Sequence, residues 1–187
     1  MSLTDAERLH SQLSRLEDAF PGYSTEIVEG SIVMSPVKPH HNRTMVAVWV
    51  SLEQSLPPEW GLASDVAFLF DGENEFCPDI AVIPQADADE NRSVYDPATA
   101  ELVVEIVSPG SRTRDYGLKP QRYAAKRIPH YLIFDPYRAE CVTYWNPSAD
   151  GYRGRDTVPY GTVVKIDSPV LGGVRIPTDR LPVDPGV

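Results

Sequence analysis

Apolar residues recur at helical spacing in two stretches of this chain and in short β-prone runs through most of the rest. Leu9, Leu13, Leu16 and Phe20 define one face of a helix over residues 5–19. Thr4 and Glu7 have capping-box spacing at its start, and Pro21-Gly22 ends it. Met45, Val48, Trp49, Leu52 and Leu56 predict a second helix over residues 42–56, stopped by Pro57-Pro58. Residues 25–28 and 31–34, separated by Glu29-Gly30, read as a β-hairpin. Strands are expected at 65–70, 78–83, 101–107 and 130–134, the first of them suited to a central position. Residues 141–145, 156–158 and 161–166 look like hairpin strands, followed by a weak last strand near 173–176.

The resulting order is helix, hairpin, helix, three strands, helix, strand and a β-rich tail. It predicts an α/β (α+β) fold with a mixed β-sheet flanked by helices. The crossover from Glu105 through a helix to Tyr131 should make those two strands parallel. The polar, acidic stretch 84–99 is long for a connection and reads as a flap or a functional loop. No internal repeat or linker divides the chain. One domain is expected: an N-terminal helix (1–22), a core (23–145) and a β-rich tail (146–187).

Composition changes this picture little, but charge distribution matters. The apolar fraction of 42% and charged fraction of 24% are ordinary for a globular chain. No window is apolar enough for a membrane span, and no secretory signal opens the sequence. Cys77 and Cys141 make neither a disulfide framework nor a CxxC pair, so a cytoplasmic, reducing location is expected. The net charge of −10 argues against a general nucleic-acid coat. Residues 111–127, however, carry six cations against the single Asp115, enough to focus a positive field on one face.

The candidate chemistry lies where that basic segment follows the strand 101–107. Glu105 stands among valines, sharing a side with Val103 and Val107, while Leu102, Val104 and Ile106 point the other way. Asp79, Ala81 and Ile83 share one side of the strand 78–83. If the two strands pair, Asp79 and Glu105 face one cleft, and two hard carboxylates there suit Mg²⁺ or Mn²⁺. A buried ion pair with an arginine is the alternative. Lys119 is the candidate cation for charge developing on phosphate. Lys119, Arg122, Tyr123 and Lys126 fall on one helical face, and Pro120 places the helix start near Leu118. Arg112, Arg114, Arg122 and Arg127 are candidates for backbone phosphates.

Other chemistries find little support. His40-His41 cannot both serve one metal from regular structure, and neither HExxH nor CxxC occurs. Ser108 lacks a nucleophile elbow. Neither a P-loop nor a G-x-G-x-x-G turn is present, and Cys77 has no activating motif.

Several separated segments resemble a known family in the right order. They are Cys77-Pro78-Asp79-Ile80, the run from Val103 to Pro109, Arg114-Asp115 with Lys119, Tyr123, and the run from Ile128 to Pro136. Glu26-Ile27-Val28-Glu29-Gly30 and His41-Asn42 extend the likeness, which covers about Tyr23 to Trp145. Together they resemble small bacterial restriction-endonuclease-type proteins of the PD-(D/E)XK nuclease superfamily. That resemblance implies a nuclease-like core with Asp79 and Glu105 as metal-binding carboxylates, Glu26 as an additional acidic ligand and His41 beside the site. The superfamily's lysine normally stands two residues after the second carboxylate. Here that position is Val107, and Lys119 on the following helix matches instead.

Two functions follow as expectations. One is a Mg²⁺- or Mn²⁺-dependent endonuclease acting on DNA, with Asp79, Glu105 and Lys119 catalytic and Arg112, Arg114, Arg122, Tyr123 and His41 near the substrate. The other is a non-catalytic nuclease-fold module that binds nucleic acid or a partner protein, as a homodimer in one version.

Overall fold

The computed structural model describes residues 5–20, 23–36 and 38–184. The expected Thr4 cap and Pro21-Gly22 stop lie outside them. A first helix, α1 (Asp5–Ala19), leads to the hairpin β1 (Tyr23–Val28) and β2 (Ser31–Pro36), then to α2 (Pro39–Ser55). Glu29 and Gly30 make the turn with φ of 47° and 71°, the left-handed pairing a tight hairpin requires.

The main sheet has six strands. β3 (Trp60–Ala63) is one edge, followed by β6 (Ile80–Pro84), β8 (Leu102–Ile106), β9 (His130–Asp135), β10 (Glu140–Ser148) and the other edge, β11 (Gly151–Pro159). β8 and β9 are parallel, as the helical crossover between them demands, and the other neighbours are antiparallel. The order places β8 and β9 at the centre, where both faces are covered. That is why these strands read as continuous apolar runs.

Alternation along them divides the core in two. Val103 and Val107 join Ala81, Ile83, Tyr123, Tyr131 and Ile133 on one face. Leu102, Val104 and Ile106 join Ile80, Val82, Leu132, Phe134, Val48 and Leu52 on the other. Each face buries well over ten apolar side chains, at roughly 1.5–3 kcal/mol apiece. The second face is closed by α2 and by the hairpin β12 (Val163–Ser168) and β13 (Gly172–Pro177), which contributes Val164, Ile166, Val174 and Ile176.

Four expectations need correction. The strand expected at 65–70 and thought central is only β4 (Ala67–Leu69), because Asp65 turns the chain with φ 54°. It lies in a second sheet of order β2-β1-β5-β4-β7, with β5 (Glu75–Phe76) and β7 (Val94–Tyr95). β3 and these two-residue strands were not expected, since none carries enough alternation to register. The stretch 84–99 is not a flap. It folds into α3 (Gln85–Asp89), β7 and a 3₁₀ turn at Pro97–Thr99.

The fourth concerns the helix carrying Lys119. It starts at Arg112 rather than near Leu118, passes through a π-turn at Arg114–Leu118, and continues as α4 (Lys119–Ala125). The Lys119 amide bonds to the Arg114 carbonyl, an i→i−5 step. Pro120 has no amide for the next step, to Asp115, and the Tyr131 hydroxyl donates to that carbonyl at 2.9 Å instead. Among the described residues no helix is long and apolar enough to cross a membrane.

Candidate active site

Glu26 on β1, His41 in the first turn of α2, Asp79 ahead of β6, Glu105 on β8 and Lys119 on the helix line one pocket of about 40 Å³. That is space for one ion or a few waters. Cys77, Ser111 and Arg114 also line it. The sheet register explains the central pair. Ile80 stands opposite Val104 in an antiparallel ladder, so Asp79, one residue earlier, stands opposite Glu105. Asp79 Oδ2 accepts the Ile106 amide at 2.6 Å, and its Oδ1 lies 3.0 Å from His41 Nε2. The carboxylate is thereby held at a fixed angle to the strand end.

Glu105 is 4% exposed, and both its described protein partners use Oε1: Lys119 Nζ at 2.9 Å and the Tyr123 hydroxyl, which donates at 2.6 Å. Oε2 accepts no hydrogen bond from the described residues, and Glu105 lines the pocket. Tyr123 is itself locked among Phe70, Phe76 and Tyr131, with ring centroids 5.4, 5.9 and 4.9 Å away. Fully buried, it stands behind Glu105 and fixes its rotamer, away from any surface a substrate could touch.

Lys119 is the charge centre. Its Nζ lies 2.8 Å from Glu26 Oε1, 2.9 Å from Glu105 Oε1 and 3.6 Å from Asp115 Oδ1, and the side chain is 2% exposed. Burial works against the ammonium, but Glu105, Glu26 and Asp115 outweigh it and hold the lysine pKa well above its ordinary value. The carboxylate pKa values rise as well, which for an acid favours the neutral form. Burial pushes Glu105 well above the usual range against the pull of Lys119, with Asp115, Asp79 and Glu26 adding repulsion. Asp115 is pushed up to about 6, again chiefly by burial, although Lys119 and a 2.5 Å bond from Ser111 Oγ oppose the shift. Burial also acts against a charged His41, but its bond to Asp79 prevails and the pKa rises. One ammonium therefore serves three buried acids, two of which hold their protons more tightly than free carboxylates do.

Among the described residues no three His, Cys, Asp or Glu side chains gather into a ready-made metal cage. Glu26 in particular is committed elsewhere: Oε1 receives Lys119 and the Cys77 amide, and Oε2 lies 4.0 Å from Arg114 Nε. Asp79 and Glu105 remain as a facing pair of oxygen donors. Two carboxylates with waters and phosphate oxygens completing the shell are a common arrangement for Mg²⁺, so the donor set fits that ion.

The arginines separate. Arg114 lines the pocket and also bonds the Gly110 carbonyl at 3.0 Å. Arg112 reaches the buried Asp135 at 3.5 Å, and Arg122 reaches Asp71 at 3.5 Å; neither lines the pocket. The basic segment is thus largely matched by acids from other strands and turns. Asp115 and Ser111 were missed by sequence reasoning. The i, i+4 spacing of Asp115 and Lys119 was the available signal.

Comparison with known proteins gives the geometry a family. A solved structure from Anabaena variabilis ATCC 29413, described as "a putative nuclease belonging to DUF820", superposes with a TM-score of 0.66. The match covers 90% of each chain at 16% identity, a likeness of fold. No curated protein matches the chain. A family model matches residues 10–179, nearly the whole length, and takes in every residue of the pocket. On that match, the chain belongs to the Uma2 family, described as "Putative restriction endonuclease".

Proposed function

We propose that the chain is a Mg²⁺- or Mn²⁺-dependent endonuclease that hydrolyses DNA phosphodiester bonds. The observation that carries this reading is the pair Asp79 and Glu105, facing across β6 and β8 with Lys119 held against one oxygen of Glu105. When bound, the ion would activate water and neutralise charge on the scissile phosphate. Asp79 and Glu105 would hold it. His41 and the Ile106 amide orient Asp79, and Tyr123 orients Glu105. Lys119, kept protonated by its acidic neighbours, supplies positive charge beside the phosphate oxygens in the transition state. Arg114, at the pocket wall, contacts a flanking phosphate of the strand.

Incubating duplex and single-stranded DNA with the protein and each metal tests the reading. Wild type should cleave, and Asp79→Ala and Glu105→Ala should lower the rate by about 10³-fold or more, in line with loss of an essential electrostatic group. Cleavage unchanged in both variants would refute the assignment.

A second reading has its own observation. Lys119 is 2% exposed and paired to Glu26 and Glu105, so it closes the site as well as charging it. This favours a nuclease-fold module that binds nucleic acid or a partner without turnover. Salt-dependent DNA binding with no cleavage under any divalent metal is its expected signature.

A further inference from the structure

The largest cavity described, about 440 Å³, lies on the sheet face opposite the carboxylate pocket. Leu132, Val158 and Ile166, all from the second core cluster or packed on it, form its floor. Its wall is Trp145, an indole 40% exposed.

The indole is held flat by its cross-strand partner. Trp145 on β10 pairs with Gly154 on β11, and a Cβ built at Gly154 would fall 2.2 Å from Trp145 Cε2 and 2.3 Å from Nε1. The ring therefore lies directly on the glycine backbone, where no other residue type would let it lie. One ring face is used by the sheet and the other is left to the cavity. Such a ring loses little freedom on binding, because its orientation is already set.

Charge says what the platform would take. Asp156 on β11 and Asp167 on β12 line the cavity, against Lys165 and His130. Burial lowers the His130 pKa, so the imidazole is neutral at pH 7 and the lining carries a net negative charge. The whole chain, at −10, adds to that sign. A phosphorylated ligand is disfavoured, whereas a planar cation gains the indole face and the two carboxylates at once. We infer that this cavity binds an arginine side chain of a partner protein, stacked on Trp145 and bracketed by Asp156 and Asp167. The guanidinium is preferred to an ammonium because it stacks flat and presents a fork to carboxylates.

The test uses the full chain labelled with ¹⁵N and the probe N-acetyl-arginine amide, following the Trp145 indole N–H. A saturable shift is expected, with N-acetyl-citrulline amide, the uncharged isostere, at least about ten-fold weaker. In Trp145→Ala, which removes this reporter, binding of N-acetyl-arginine amide followed by calorimetry should be lost. Asp156→Asn/Asp167→Asn, which alters only exposed side chains, should weaken it by a similar factor while leaving the spectrum otherwise intact. Equal binding of the two probes, full affinity in the double Asn variant, or preferential binding of dGMP would overturn the assignment. Cleavage assays on the double Asn variant should match wild type, so this outcome is independent of the proposed nuclease activity.

Discussion

Lys119 is the residue on which most of the site's electrostatics converges. Removing it with Lys119→Met leaves Glu105 and Asp115 buried without this counter-charge, and Glu26 with Arg114 alone. A buried pair broken from one side typically costs about 3–5 kcal/mol, so the urea midpoint should fall by that equivalent at pH 8. The loss should shrink at pH 5, where the acids can take up protons. Asp115 gives a separate pH signature. Its pKa is raised from 3.8 to about 6 on folding, so the folded chain holds this proton more tightly than the unfolded one. Its contribution to stability is complete below about 4 and is lost as pH rises through about 6. Asp115→Asn should remove that portion of the slope, seen as a stability difference from wild type that varies between pH 4 and 6 and levels off above. Sequence alone exposed Asp79, Glu105 and Lys119 as candidates because acids and a lysine stood out against apolar strands. It did not expose Asp115, which reads as one more surface acid in a basic run until the helix turns it inward.

At the scale of the element, the helix 112–125 shows how local chemistry and tertiary contact share one task. Its C-terminus follows the Schellman pattern: the Arg127 amide reaches Ala124 O at 2.9 Å, and the Ile128 amide reaches Tyr123 O at 3.1 Å. Arg127 takes the left-handed position, with φ 60°, where glycine usually stands. Arg127→Gly should therefore raise stability by about 1 kcal/mol, measured by urea denaturation, because it removes the Cβ penalty of that conformation. Its N-terminal half could not be foreseen in the same way. Pro120 suggested a start near Leu118, since proline is tolerated in a first turn. The π-turn lets the helix begin earlier, and Tyr131, from β9, satisfies the carbonyl that Pro120 abandons.

For the whole molecule, the β-rich tail is part of the core. Val164, Leu171, Val174 and Ile176 are fully buried, and Ile166 and Leu181 nearly so, in the cluster that contains Leu102 and Leu132. At about 1.5–3 kcal/mol for each side chain, their burial rivals the whole net stability of an ordinary domain, about 5–15 kcal/mol. A chain ending at residue 159 should therefore lose cooperative thermal unfolding and bind a hydrophobic dye, as measured by circular dichroism and fluorescence. Retention of a sharp transition at the wild-type temperature would contradict this.

Periodicity along the chain by itself determined the two long helices, the first hairpin, the central strands and the parallel crossover. Those features depend on local spacing and on the handedness of L-residues, both of which are written into neighbouring positions. It also assigned Asp79 and Glu105 to a side within each run, so that they would face one cleft if the two strands paired. Only the tertiary structure decided that the two stand in register, that Lys119 lies between Glu26 and Glu105, and that most of the arginines are matched by acids from elsewhere in the chain. Register, ion pairing and burial are properties of segments far apart in sequence, and their energies exist only once the sheet has brought those segments together.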